Sequence, residues 1–152
     1  MAYFSTKRYG HDIGLTACFR QPKAKSHCRF LHGYSLAFKF TFGCNSLDER
    51  NWVVDFGALE PLKVVLEGTF DHKVVLDKEE PCMEDFRALE DKGVIDIVVL
   101  DGVGVEKFAE HAYYFATEVV KVLTDGRCWV EEVECSEHGA NSAIFRKNRR
   151  LA

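Results

Sequence analysis

Residues 26–35 read Ser-His-Cys-Arg-Phe-Leu-His-Gly-Tyr-Ser, so Cys28 lies within six residues that also contain His27 and His32. A thiol near imidazoles can be a nucleophile with its base or part of a metal shell. A catalytic zinc takes about three protein ligands, and this stretch lacks a Cys-x-x-Cys or His-x-His pair. Polar loops also carry such residues without chemical duty. A second grouping is Phe70-Asp71-His72-Lys73. There a carboxylate beside an imidazole can fix its tautomer and raise its basicity, although the same pair is common in helix-terminal turns. A third is Glu132-Val133-Glu134-Cys135. A carboxylate on a largely buried strand needs a donor, which a ligand can supply, whereas on a solvated face it needs none. Gly102-Val103-Gly104 is too short for a phosphate loop and reads as a turn.

Several elements must position these groups. Apolar alternation over residues 34–42, with Tyr34, Leu36, Phe38, Phe40 and Phe42 on one face, predicts a strand. An earlier strand is predicted over residues 9–19, joined to it by the polar loop 20–31. Residues 51–55 read as extended. Helical spacing predicts a helix over 57–67, with Pro61 tolerated in its first turn, and a second over 106–123. The stripe of the second helix is Phe108, Ala112, Phe115, Ala116, Val119 and Leu123. Residues 80–92 read as a loop with a helical turn or two. Strands are predicted over 95–100, 128–136 and 143–147, the last two separated by a turn at 138–141. This order argues for a single α+β domain over residues 1–152, an antiparallel sheet with two helices on one face.

The chain has 152 residues, enough for one core and too few for two ordinary domains. Apolar residues make up 47% and charged residues 29%, which excludes a disordered class. A formal charge of −4 argues against nucleic acid as a partner. The basic run at residues 146–150 reads as a solvated tail able to attract phosphate. The first residues lack the form of a signal peptide, so the six cysteines are expected to be reduced and the protein cytoplasmic. No apolar run is long enough to span a membrane.

Taken together, the Cys-x-x-x-His-Gly spacing, the aromatic strand, Trp-Val-Val-Asp-Phe-Gly-Ala-Leu-Glu at 52–60 and Phe-Asp-His-Lys-Val-Val-Leu-Asp at 70–77 form a pattern. It resembles the 6-pyruvoyltetrahydropterin synthase and 6-carboxytetrahydropterin synthase family, over about residues 16–145. The gap between Cys28 and His32 is similar to that of the bacterial carboxy-type lyases of queuosine biosynthesis. The resemblance implies the tunnelling fold (T-fold), in which trimers close a β-barrel, two trimers stack into a homohexamer and sites form between subunits. It implies a small-molecule pterin substrate, 7,8-dihydroneopterin triphosphate, whose side chain is rearranged with loss of triphosphate. By motif match, Cys28 is the general base, Asp71 and His72 the proton relay, Glu134 the anchor of the pterin ring and Glu106 a position near that ring.

The family's cofactor is zinc held by three histidines. Here Phe19 and Tyr34 stand at two of those positions, and only His32 remains. Three readings stay open. Cys18, His11 or His27 rebuild a zinc shell; the protein is a metal-free enzyme acting on a different pterin, for instance by retro-aldol cleavage of dihydroneopterin; or it binds a pterin or purine without catalysis. Two correlated ligand losses give the metal-free readings more weight.

Overall fold

A computed structural model describes residues 1–148; Arg149 and Arg150 of the basic run lie outside them. Seven strands form one mixed sheet: β1 (Tyr3–Tyr9), β2 (Leu15–Phe19), β3 (His32–Cys44), β4 (Lys73–Asp77), β5 (Ile97–Leu100), β6 (Cys128–His138) and β7 (Asn141–Phe145). The helices are α1 (Glu60–Phe70), α2 (Met83–Asp91) and α3 (Val105–Leu123). The sheet order is β5-β4-β2-β3-β6-β7, with β1 paired to the second half of β3.

β3 is the spine of the molecule. It pairs antiparallel with β2 along its first half, with β1 along its second, and with β6 on its other side. Its predicted apolar face is the one buried: Leu36, Phe38, Phe40 and Phe42 are almost fully enclosed. Phe38 packs on Phe70 of α1 with centroids 5.1 Å apart, and Phe70 packs edge-on against Phe108 of α3, also at 5.1 Å. Leu62, Leu66 and Phe70 recur at helical spacing and seal α1 to the sheet. Asp55 starts the preceding turn, its Oδ1 accepting from the Gly57 amide at 2.9 Å.

The expected wholly antiparallel sheet is corrected by the wing β2-β4-β5, whose pairings are parallel. β4, α2 and β5 form a strand–helix–strand crossover, which requires parallel neighbours. A third helix, α2, therefore stands where a mixed loop was expected. Val74, Val75 and Leu76 are all buried, the unbroken apolar run of a strand covered on both faces. The strand expected over residues 9–19 is confined to Leu15–Phe19, and a separate strand, Tyr3–Tyr9, precedes it. Gly10 and Gly14 bracket a short 3-10 turn, His11–Ile13, and Gly14 takes φ +82. Residues 51–55 form bends and irregular backbone instead of an extended segment. α3 turns a slightly different face inward than the predicted stripe: Ala109, Tyr113 and Val120 are buried, and Leu123 is exposed.

All six cysteines are free thiols. No helix among the described residues is long and apolar enough to cross a membrane.

Candidate active site

The loop that follows β2 is pinned at both ends. Arg20 grips Glu80 with Nε and Nη2, the shortest contact being 2.7 Å, and its Nη1 donates to the Arg29 carbonyl at 2.8 Å. The Gln21 amide donates to the Cys28 carbonyl at 2.9 Å. Ser26 caps the single turn His27–Arg29, accepting from the Cys28 amide at 3.4 Å. Cys28 is thus held in a short 3-10 turn beside the end of the sheet. Gln21 also reaches across to α3, its Nε2 donating to the Val103 carbonyl at 2.7 Å. Gly104 makes this bridge possible: its φ is +107, and a Cβ there would meet Gln21 Nε2 at 2.6 Å.

These supports enclose a cleft of about 470 Å³, within the range of small-molecule sites. Phe19 and His32 form its floor, where β2 and β3 pair. Cys28 and Gln21 form one wall, and Gly104, Val105 and Glu106 bring in the first turn of α3. Glu137, Ala140, Asn141 and Ser142 close it from the β6–β7 hairpin. Cys28, His32 and Glu106, three of the residues singled out in the sequence, therefore meet. A second groove of about 450 Å³, between β1 and residues 47–56, is lined mainly by apolar groups and offers no comparable set.

Glu134 does not line this cleft. It pairs with Lys39 on β3 and Ile144 on β7, on the face opposite the buried Val133 and Cys135. The carboxylate that β6 does bring to it, beside Glu106 of α3, is Glu137, which the motif reading missed. A register shift between Ser136 and His138 places Glu137 where the hairpin bends. Counting by twos from the apolar residues Val133 and Cys135 leads to residue 137, and that alternation was the available signal. Burial pushes the Cys135 thiol well up, with Glu137, then Glu106 and Glu134, adding to the effect.

Asp71 and His72 also stand apart from the cleft. Asp71 Oδ1 and His72 Nδ1 are 2.6 Å apart, so the carboxylate orients the ring as the sequence suggests. The His72 amide donates to the Thr16 carbonyl at 2.7 Å, holding a left-handed backbone with φ +56. Thr16 lies at the far end of β2 from Phe19, about 10 Å along the strand. The His72 side chain is 85% exposed and lines no part of the cleft beside Cys28.

Around His32 the structure builds a cluster of rings. Phe19 lies 5.1 Å from His32 and 6.0 Å from Tyr34, with His32 and Tyr34 5.5 Å apart. Phe108 supports Phe19 edge-on at 5.0 Å, and His138 adds a ring 5.9 Å from Tyr34. His32 Nδ1 is 2.7 Å from the Phe30 carbonyl, which can only accept, so Nδ1 carries a proton. Burial pushes the Tyr34 phenol up, and Glu137 and Cys28 add to this.

The model of the 6-pyruvoyl tetrahydropterin synthase family matches residues 11–148. The chain belongs to this family. A curated relative, 6-carboxy-5,6,7,8-tetrahydropterin synthase of Aquifex aeolicus, is 30% identical over 80 residues, covering 52% of this chain and 49% of that protein. The match thus spans about half the length of that relative. Among solved structures, the uncharacterised protein WS1659 of Wolinella succinogenes superposes with a TM-score of 0.82 at 17% identity, over 97% of this chain and 99% of that one. The 6-pyruvoyl tetrahydropterin synthase of Plasmodium falciparum gives 0.70 at 15% identity, over 96% and 98%. That of Caenorhabditis elegans gives 0.58 at 13%, over 97% and 96%. These likenesses show that the synthase fold is shared.

The zinc ion that the synthase family implies does not suit the residues present. Phe19, 2% exposed, cannot ligate, and Tyr34 offers a phenol whose proton is held more tightly than usual. Cys18 lies on the other face of β2, packed with the small apolar cluster of Val74, Leu76 and Phe86. His11 Nδ1 is spent on the Ser35 carbonyl at 2.5 Å, and His27 is exposed and does not line the cleft. Among the described residues no three His, Cys, Asp or Glu side chains are grouped to hold a metal. One imidazole among aromatic rings is not a zinc donor set.

Proposed function

We propose that this chain is a pterin synthase-like lyase, binding the ring of a dihydropterin and acting on its side chain at Cys28. The observation that carries the reading is the convergence of Cys28, Glu106 and Glu137 in one cleft of a synthase-family fold. Glu137, not Glu134, takes the part of ring anchor. A carboxylate accepts two N–H bonds from the 2-aminopyrimidinone edge, and charge-assisted bonds of this kind are the strong ones. Glu106, in the first turn of α3, sits where a helix N-terminus favours negative charge and offers a second acceptor. With the ring held there, Cys28 reaches the first side-chain carbon and takes its proton as thiolate. A positioned base contributes about 10²–10⁴ in rate.

The oriented Asp71–His72 couple serves the cleft of a neighbouring protomer. It is preformed and solvent-facing, and it has no task in its own cleft, which supports a homo-oligomer with composite sites, a trimer or a hexamer. No step is routed through a metal. The ring cluster of Phe19, His32 and Tyr34 also favours a second reading, a ring-binding protein without turnover.

Incubation with 7,8-dihydroneopterin and with its triphosphate, followed by chromatography of the pterins, separates the two. Product from the wild type and none from Cys28→Ala supports the lyase. Ring binding without product from either compound leaves the non-catalytic reading.

A further inference from the structure

The cleft's charge pattern says which dihydropterin it takes, an inference that rests on the ring-binding reading above. Within one protomer its two charged side chains are the carboxylates of Glu106 and Glu137, and among the described residues no lysine or arginine lines it; the couple that a neighbour would bring adds the Asp71 carboxylate and an imidazole, and the adjoining Lys73 is paired with Asp96. The nearby cations are turned elsewhere. Arg20 is spent on Glu80 and on the Arg29 carbonyl. Arg29 lies on the Phe30 ring at 4.2 Å and donates to the Lys25 and Ser26 carbonyls. Lys107, next to Glu106, is paired with Glu110. Both arginines line a different groove, on the far side of the Cys28 loop with Phe30, Cys82 and Phe86. The remaining polar groups of the cleft are neutral: the Gln21 and Asn141 amides and the Ser142 hydroxyl. His138, just outside, is occupied by the hairpin, accepting from the Ala140 amide at Nδ1.

A triphosphate carries several negative charges, and proteins hold such groups with Arg, Lys, backbone amides or a metal ion. Here the side chains are carboxylates, amides and a hydroxyl, and the metal locus is filled by Phe19 and Tyr34. We propose that this cleft selects an unphosphorylated dihydropterin, a neutral bicycle with a short hydroxylated side chain, and holds it without a metal ion. Glu137 takes the amino edge of the ring, while Gln21, Asn141 and Ser142 suit side-chain hydroxyls.

The test uses the full chain, treated with chelator. Calorimetric titration gives the Kd of 7,8-dihydroneopterin and of 7,8-dihydroneopterin triphosphate, with and without added zinc. Binding of the unphosphorylated compound about tenfold more tightly, unchanged by zinc, is the expected result. Equal or tighter binding of the triphosphate, or a requirement for zinc, overturns the proposal. Binding of neither compound overturns the ring-binding reading itself and the selectivity with it. Ala140→Lys places a cation on an exposed position of the cleft wall that takes no part in holding the ligand. It is expected to raise triphosphate affinity several-fold and leave the other compound within about twofold. No gain for the triphosphate would show that charge is not the discriminator.

Discussion

Phe19 carries much of the chemistry by what it cannot do. It occupies a place where an imidazole would face His32, and it is locked there by Phe108. Replacing both Phe19 and Tyr34 by histidine is expected to create a zinc site with His32. Metal analysis after zinc loading and desalting should give about one zinc per protomer in the double variant and none retained at this locus in the wild type. Stoichiometric zinc in the wild type, lost in His32→Ala, would contradict this. Cys28→Ala is expected to lower product formation by about 10² or more with ring affinity within twofold; unchanged turnover would remove Cys28 as the base. At this scale Cys28, His32 and Glu106, singled out in the sequence, line one cleft, and the carboxylate that β6 brings to it is Glu137 and not Glu134. Glu134 and Glu137 differ by three positions, hence by strand face, and the apolar residues Val133 and Cys135 mark which face is inward.

The elements that hold the site depend on Arg20 and Glu80, which join the end of β2 to the turn before α2. Burial alone would push the Glu80 carboxyl up, but bonds from Arg20 and the Cys82 amide outweigh it and hold it below its usual value. A carboxyl depressed in the folded state stabilises above its unfolded pKa, and that stability is lost as pH falls through the folded value. The wild type should therefore lose stability steeply on acidification below about pH 4.5. Glu80→Gln strands a mostly buried guanidinium, and is expected to cost about 3 kcal/mol at pH 7 and flatten the acid limb. Urea melts at several pH values check both; parallel pH profiles for the two proteins would refute the coupling. The long periodic elements β3, α1, α3 and β6 were legible because each buries one apolar face. β1 was not, because its partly buried positions are Ser5 and Lys7 while its apolar Tyr3 and Phe4 are exposed. α2 was read as loop because Phe86 is its one buried residue, and the parallel wing followed it out of sight.

On the scale of the whole molecule, the cleft and the Asp71–His72 couple lie apart in one protomer, so a composite site needs neighbouring chains. Sedimentation should show a particle three or six times the protomer mass. Cys28→Ala and His72→Ala should each be inactive alone. Refolded together they should regain activity, since mixed assemblies contain clefts with an intact thiol facing an intact imidazole. Failure to complement, with both variants assembling normally, would place the couple outside the reaction. The sequence suggested one α+β unit and its family; it could not show that these groups are separated within a chain, because that separation arises from how α1 returns the backbone beside Thr16.

The most direct test of the ring site is a titration of 7,8-dihydroneopterin into the wild type, Glu137→Gln and Glu134→Gln, followed by ligand fluorescence. Loss of the carboxylate at 137 should weaken binding about 10- to 100-fold, while the change at 134 leaves it within twofold. Weak binding by Glu134→Gln and wild-type binding by Glu137→Gln would mean that the pterin ring is held on the other face of the sheet.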